Sequence, residues 1–354
     1  MKTTATAWAV VAAGVALATA PAAAQDLPET TISYVGSLSS LAQYQQRELP
    51  FWSKHIPEAS GGRITTQVTS YDQMGLNGSE VYRLLERGMF HIGSTVADYT
   101  VQDAPELEGM DIPGLAGDVD TAERIATDFR PVLDDIMAKR FGSRVLAIAP
   151  YPAQLVFCKA EINSIEDLKG KRIRVSGRSN AEFLGSLGAE AITMPFGEVS
   201  GSLERGIIDC AVSGTLPGYA AGWHEVATHL FLGVPLGWDY VVTAVNLQTW
   251  DGFGEEVQEF LTTELRDTYE AAAWKAAREE SAGGLACLTG DGQCAQGTPG
   301  KMTLVRASEG DLAVARERLE KDVLPRWASR VTPEWVARWN ETIGKITGLT
   351  VNGS

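Results

Sequence analysis

Between Thr30 and Val212 short β-rich runs alternate with helical patterns, and this alternation restricts the fold class more than any other feature of the chain. Thr31 to Val35 reads as a strand ending at Gly36-Ser37. Leu38, Leu41, Leu49, Trp52 and Ile56 then recur at helical spacing until Gly61-Gly62 stops the helix. Ile64 to Val68 is a second strand, Glu80 to Arg87 a helix closed by Gly88, and His91-Ile92-Gly93 a third strand. Strand–helix–strand repetition of this kind predicts parallel pairing and an α/β layer architecture.

The same logic repeats further on. Val145 to Ala149 and Leu155 to Cys158 are apolar runs, and Ser164 to Gly170 is a short capped turn. Arg172 to Val175, Ala191 to Met194 and Ile207 to Val212 read as strands, with helices over Asn180 to Leu187 and Glu198 to Arg205 between them. A long helical pattern covers Glu255 to Glu280, and two closing helices cover Asp311 to Arg330 and Pro333 to Ile346. The expected organisation is one lobe over 25–151 plus about 241–282 and a second over 152–240 plus about 283–310. Residues 311–354 pack on both lobes. Ligands of open α/β sheets sit beyond the strand C-termini, which places the expected site in a cleft between the lobes.

The first residues have a different character. Lys2 precedes an apolar run from Ala7 to Ala20, Pro21 breaks it, and Ala22-Ala23-Ala24 offers an A-x-A-type cleavage site before Gln25. That pattern is a secretory signal peptide over residues 1–24, of bacterial flavour, and it points to the periplasm. In an exported chain, four cysteines favour disulfides over free thiols or zinc. Cys287 and Cys294 bracket a polar loop that can close on itself. Cys158 and Cys210 lie in two strand-like runs, and the expectation is that these strands are neighbours joined by a bridge.

Composition excludes several functions. The 354 residues carry 30 Lys+Arg against 45 Asp+Glu, a formal charge of −15. A chain this acidic is unsuited to tracking nucleic-acid phosphates or to docking on anionic lipid, and no second apolar run of membrane-spanning length follows the leader. There is no phosphate-cradling glycine loop, no dinucleotide fingerprint and no nucleophile elbow. His224-Glu225-Val226-Ala227-Thr228-His229 has one residue too many for a zinc-binding helix, so neither a metal nor a cofactor is expected.

The chemistry concentrates on Lys169-Gly170-Lys171-Arg172-Ile173-Arg174-Val175. On a strand, Arg172 and Arg174 face one side and Ile173 and Val175 the other. An arginine at a strand end in a cleft presents a planar fork of donors matched to a carboxylate or sulfonate.

Gly170-Lys171-Arg172-Ile173-Arg174-Val175, Leu187-Gly188-Ala189, Met194-Pro195-Phe196-Gly197-Glu198-Val199 and Gly206-Ile207-Ile208-Asp209 form an ordered series. The series resembles the DctP-type solute-binding proteins of tripartite ATP-independent periplasmic (TRAP) transporters. Gly61-Gly62-Arg63-Ile64, Gln73-Met74-Gly75 and His91-Ile92-Gly93 fit as well, so the resemblance covers nearly the whole chain after the leader. It implies a two-lobed periplasmic binding protein fold, type II-like, with hinge-crossing strands and a long connecting helix. It further implies a non-enzymatic receptor that closes on an organic acid and delivers it to membrane permease subunits. In the family the arginine matching Arg174 binds the ligand carboxylate and the residue matching Phe196 lines the pocket. The two strands bearing Cys158 and Cys210 are neighbours in that fold.

The chain also departs from the pattern. Many members carry a second arginine where this sequence has Pro152-Ala153-Gln154-Leu155, and an asparagine where it has Ser213. The expected ligand set therefore comprises Arg174, Phe196, Gln154, Ser213 and Thr215, with Arg172 beside them and the aromatics Tyr219, Trp223 and Trp238. Ser37, Glu80 and Thr95 enter by position at strand or helix ends, Glu80 with the alternative of capping its own helix. The expected ligand is a small carboxylate with hydroxyl, ring or unsaturated character. An exported enzyme and a ligand-presenting sensor partner are the competing readings on the same scaffold.

Overall fold

Two sheets carry the fold in this computed structural model, which describes residues 27–352; the leader expected over residues 1–24 lies outside them. The first sheet contains β1 (Thr30–Gly36), β2 (Ile64–Ser70), β3 (Ile92–Val96) and β4 (Ser143–Ala149). The second contains β5 (Gln154–Cys158), β6 (Arg172–Val175), β7 (Glu190–Thr193), β8 (Cys210–Gly214) and β9 (His229–Leu232). The chain then returns to the first sheet as β10 (Val241–Asn246) and closes the second with β11 (Thr303–Arg306). The spatial orders are β2-β1-β3-β10-β4 and β11-β9-β5-β8-β6-β7.

The expected parallel pairing holds only where a helix intervenes. β1 runs parallel to β2 and β3, and β6 runs parallel to β7 and β8. The strands that arrive from the other lobe are antiparallel: β10 against β3 and β4, β5 against β8 and β9. A crossing strand enters its new sheet from the cleft side, so its direction opposes that of its neighbours. Two crossings, 150–153 and 233–240, thus join the lobes, and each leads directly into or out of a sheet interior.

Local chemistry explains most boundaries. Ser164 and Asp167 form the capping box of the Ile165–Leu168 turn. The strand expected from Ile207 starts only at Cys210, because Gly206 is left-handed (φ 68°) and the Ile207 amide turns back to the Ser202 carbonyl at 2.9 Å. That closure extends the helix cap by the residues the strand loses. The helix Val119–Phe141 occupies a stretch to which the alternation assigns no element. Asp118 caps its start, accepting from the Thr121 amide, and Gly142 ends it at φ 50°. Its buried stripe, which includes Ile125, Phe129, Val132, Ile136 and Met137, packs against the first sheet.

Helical structure starting at Glu255 continues to Thr289, nine residues beyond the expected end. At a rise of about 1.5 Å per residue it is about 50 Å long. Val257, Leu261 and Leu265 bury under the first sheet, and Leu288 joins the core of the second, so this helix spans both lobes. Helical segments over 309–328 and 333–347 close the back, where Trp327 and Trp339 pack at a tilt with ring centroids 5.6 Å apart. Among the described residues no helix is long and apolar enough to cross a membrane.

Both expected disulfides are present. Cys158 and Cys210 are directly opposed residues of the β5/β8 ladder, and Cys287 on the last turn of the long helix joins Cys294. Loop closure makes the first bridge worth about 4 kcal/mol and the second about 2.5 kcal/mol. Paired alanine replacement of Cys158 and Cys210 is therefore expected to lower the urea midpoint more than the same change at Cys287 and Cys294. Equal midpoints in the two double variants would contradict the ranking.

Candidate functional site

Arg174 is placed by backbone, not by an acid. Its strand, β6, lies between β7 and β8, and the guanidinium reaches along the sheet to their C-terminal ends. Nε donates to the Met194 carbonyl at 2.9 Å and Nη1 to the Val212 carbonyl at 3.0 Å. The side chain is only 2% exposed. Two neutral acceptors fix its orientation without cancelling its charge, so the remaining donor edge stays available. The Phe196 ring lies 5.8 Å from the guanidinium carbon and packs in turn on Trp223 at 5.2 Å.

A cleft of about 460 Å³ opens between the lobes next to Arg174, and Phe196, Met194 and Tyr99, which surround the guanidinium, are part of its wall. Leu38, Tyr71, Asn77 and Tyr99 line it from the first lobe, and Ser176, Met194 and Phe196 from the second. The Tyr99 hydroxyl faces Arg174, and burial pushes that phenol up to about 12. A volume of this size suits a small organic molecule.

The expected ligand residues separate into two groups. Phe196 lines the cleft, Arg174 lies behind it, and Gln154 opens β5 at the end of the first crossing; Ser213 follows Val212 on the same sheet face as Arg174. Gln154 is buried with neither end of its amide in a hydrogen bond of normal geometry, and it lies beside Asp239. Ser37 is buried at the end of β1; its amide donates to Glu48 at 2.7 Å while its hydroxyl has no partner. The others are engaged elsewhere. Arg172 forms a bidentate pair with Asp209 at 3.0 and 2.7 Å on the surface, so it does not join Arg174 in the cleft. Thr215 donates to carbonyls of the long helix, and Tyr219 donates to the Thr298 carbonyl and stacks on His224. Trp238 is core, with its indole donating to the Ala116 carbonyl, as is Trp223 behind Phe196. Glu80 caps its own helix through the Asn77 amide, and Thr95 donates to the Gly78 carbonyl beneath the cleft wall.

A cluster of buried acids at the lobe junction has no counterpart in the sequence expectations. Asp239, on the second crossing, accepts from Ser176 at 3.3 Å and faces Arg174; burial raises it to about 6. It has a backbone φ of 43°, the one positive value outside glycine among the described residues. Asp111 holds it there, accepting from the Trp238 amide at 2.9 Å and the Asp239 amide at 2.8 Å. Asp98 lies against Gly177, the cap of the helix Arg178–Ser186, where the helix end and Arg178 favour negative charge but burial raises its pKa well above the ordinary value. Further out, Glu108 of the first lobe pairs with Arg178 at 3.1 Å and with Arg330, which also holds Glu182 at 2.6 Å. The lobes are thus tied by charge as well as by chain. Among the described residues no group of three or more His, Cys, Asp or Glu is arranged to hold a metal.

The profile of the bacterial extracellular solute-binding proteins, family 7 (DctP), matches residues 35–318. The chain belongs to this family. Among relatives, an uncharacterised Salmonella typhimurium protein, YiiZ, is 29% identical over 185 residues, covering 51% of this chain and 56% of its own length. The ectoine-binding periplasmic protein TeaA of Halomonas elongata is 25% identical over 213 residues, covering 59% and 60%. The matched part therefore spans less than two thirds of these relatives. In fold, the chain resembles DctP7 of Bordetella pertussis, an extracytoplasmic solute receptor binding pyroglutamic acid. The TM-score is 0.76 at 18% identity, covering 88% of this chain and 99% of that one. The two-lobed α/β architecture of this DctP-family chain is shared with it.

Two outcomes test the junction. A methyl group on Gly177 would overlap the Asp98 carboxylate, so Gly177→Ala is expected to open the lobes, seen as a larger radius of gyration in X-ray scattering. Asp98→Ala in the same chain should restore the compact value. Burial raises Asp98, Asp111, Asp239, Glu48 and Glu108, so the folded state takes up protons more readily than the unfolded chain. Stability should then rise as pH falls from 7.5 through about 6 toward 5, and be lost again as pH rises. Urea unfolding at the two ends of that window checks the sign, and Asp239→Asn should shrink the difference.

Proposed function

We propose that this chain is the periplasmic receptor of a TRAP transporter, capturing a small organic acid between its lobes for uptake by membrane permease subunits. The observation that carries the reading is Arg174: one buried guanidinium, held by two carbonyls and set directly behind Phe196 and Tyr99 in the wall of a cleft of ligand size. The carboxylate of the ligand pairs with the remaining donor edge of Arg174, and Phe196 and Tyr99 shield the pair from water. Closure of the lobes about crossings 150–153 and 233–240 lowers the local dielectric, which strengthens the pair and makes affinity depend on closing.

Gln154 stands where many members have a second arginine, so a single guanidinium bears the carboxylate. The named relatives support the ligand class: TeaA is an ectoine-binding protein and DctP7 binds pyroglutamic acid, both small ring carboxylates. The apolar run at residues 7–20 and its cleavage site support export to the periplasm.

Native mass spectrometry of the freshly purified protein should reveal a co-purified small acid, which then serves for calorimetry. Arg174→Ala should weaken its binding by about 2–5 kcal/mol, the usual loss when one partner of a buried charge pair is removed. Arg172→Ala, which breaks only the surface pair with Asp209, should leave affinity within a few-fold of wild type. Equal affinity of wild type and Arg174→Ala would remove this site from consideration.

A further inference from the structure

The second charged group at the head of the cleft is Asp239, and neither the family resemblance nor the named relatives give it a role. Three features mark it. First, its backbone is held in a left-handed conformation that a non-glycine residue adopts at a cost, and the Asp111 carboxylate keeps it there by accepting two successive amides. The strain aims the side chain away from the core, where its neighbours Trp238 and Tyr240 are packed, toward Arg174. Second, it faces Arg174 without forming an ion pair with it; Ser176 makes its one hydrogen bond, at 3.3 Å, among the described residues. Third, Gln154 is 2% exposed, its amide is turned toward the Asp239 carboxylate, and neither end of it makes a hydrogen bond of normal geometry. A buried carboxamide with both ends unsatisfied marks a place where something polar belongs.

From this arrangement we infer that Asp239 and Gln154 form a subsite for a protonated nitrogen, so that the ligand is a zwitterion: its carboxylate on Arg174 and its cationic N–H on Asp239. The inference rests on the proposed pairing of Arg174 with a ligand carboxylate. Opposite charges that face each other without an ion pair, beside a cleft lined by the Asp239 partner Ser176 and by Phe196 at Arg174, are matched by a molecule that carries both charges in the reverse order. A plain carboxylate would neutralise Arg174 and leave Asp239 facing a second anion. A zwitterion satisfies both and brings no net charge into a site that Asp98 and Asp111 already surround. The Gln154 oxygen is a second acceptor for the same nitrogen, and its amide group can donate to the ligand carboxylate.

The charge state of Asp239 agrees with this role. Burial raises it and Arg174 holds it down, leaving it at about 6 and hence mostly ionised at neutral pH. The titratable groups facing it are Arg174, Asp98, Asp111, Tyr99 and Tyr151. Asp239 faces Arg174 and titrates near 6, so it governs the acid limb of binding.

The test uses the full exported protein, stripped of bound small molecules by unfolding and refolding, and a panel of carboxylates in matched sets. Each set holds a secondary ring amine, its oxygen isostere and its N,N-dimethylated form without an N–H, for example proline, tetrahydrofuran-2-carboxylate and N,N-dimethylproline. Thermal shift at pH 7.5 finds the binding set, and calorimetry follows. The expected result is at least about tenfold preference for the amine over both partners. Asp239→Asn should reduce that preference to near parity by weakening the amine and strengthening the isostere, which no longer meets a second anion. Asparagine accepts left-handed backbone well, so the variant keeps the crossing intact, which its circular dichroism and urea midpoint verify. Affinity of the amine for wild type should also fall below pH 6, and that dependence should vanish in Asp239→Asn.

An oxygen isostere that binds as well as the amine, with Arg174→Ala abolishing both, overturns the nitrogen subsite and leaves the carboxylate reading standing. Retained preference for the amine in a folded Asp239→Asn overturns the assignment of the subsite to Asp239. Binding that survives Arg174→Ala, or no binding by any member of the panel, overturns the carboxylate reading and this inference with it.

Discussion

The acceptance of two successive backbone amides by the Asp111 carboxylate is the interaction on which the lobe junction depends. The chain leaving β9 must turn sharply enough to enter the first sheet as β10, between β3 and β4. It does so through Gly237 at φ 105° and Asp239 at φ 43°, two left-handed residues separated by one. Without an internal acceptor the amides of Trp238 and Asp239 would be buried and unpaired, since the crossing belongs to neither sheet. Asp111 supplies that acceptor from the first lobe, and a side chain at position 237 would collide with it. The turn therefore fixes three things together: where β10 begins, which side of the crossing faces Arg174, and the close approach of the lobes. A strained backbone is kept here because the surroundings over-determine it.

Much of this was legible in the sequence, and the rest was hidden for physical reasons. Strands such as Arg172–Val175 follow from alternation, and both disulfides follow from an even cysteine count in an exported chain. Arg174 could be singled out only with the family resemblance, because the strand pattern alone treats Arg172 and Arg174 alike and fits a solvated edge arginine as well. The helix Val119–Phe141 was masked by Pro131 in its interior, which normally ends a helix, although Ile125, Phe129, Val132 and Ile136 carry the period. The antiparallel crossing strands could not be foreseen from local pattern, because direction in a sheet depends on where the chain came from.

The candidate site shows the same division. Sequence gives residue type, and it gives facing only where the period is regular. Trp238 and Tyr240 attract attention as aromatics, yet they point into the core, and the intervening Asp239 faces the site by simple alternation. Asp98 and Asp111 lie in short helical turns and bends with no period to read, so their convergence on the junction appears only in three dimensions. Thr215 and Tyr219 were reasonable on type, but the long helix and the loop after it claim their hydroxyls. Positions that touch elements far along the chain are the ones local reasoning misassigns.

The insertion of β10 also orders the assembly of the molecule in time. Strands β5 to β9 lie within residues 154–232, so most of the second sheet can form from one continuous stretch of chain. The first sheet cannot: β4 has no neighbour until β10 arrives nearly a hundred residues later and fills the gap beside β3. Until then an apolar strand and an open central edge remain exposed, the kind of surface that invites wrong pairing. The closure of the first sheet is thus non-local and slow, and it is set by the same crossing that shapes the cleft.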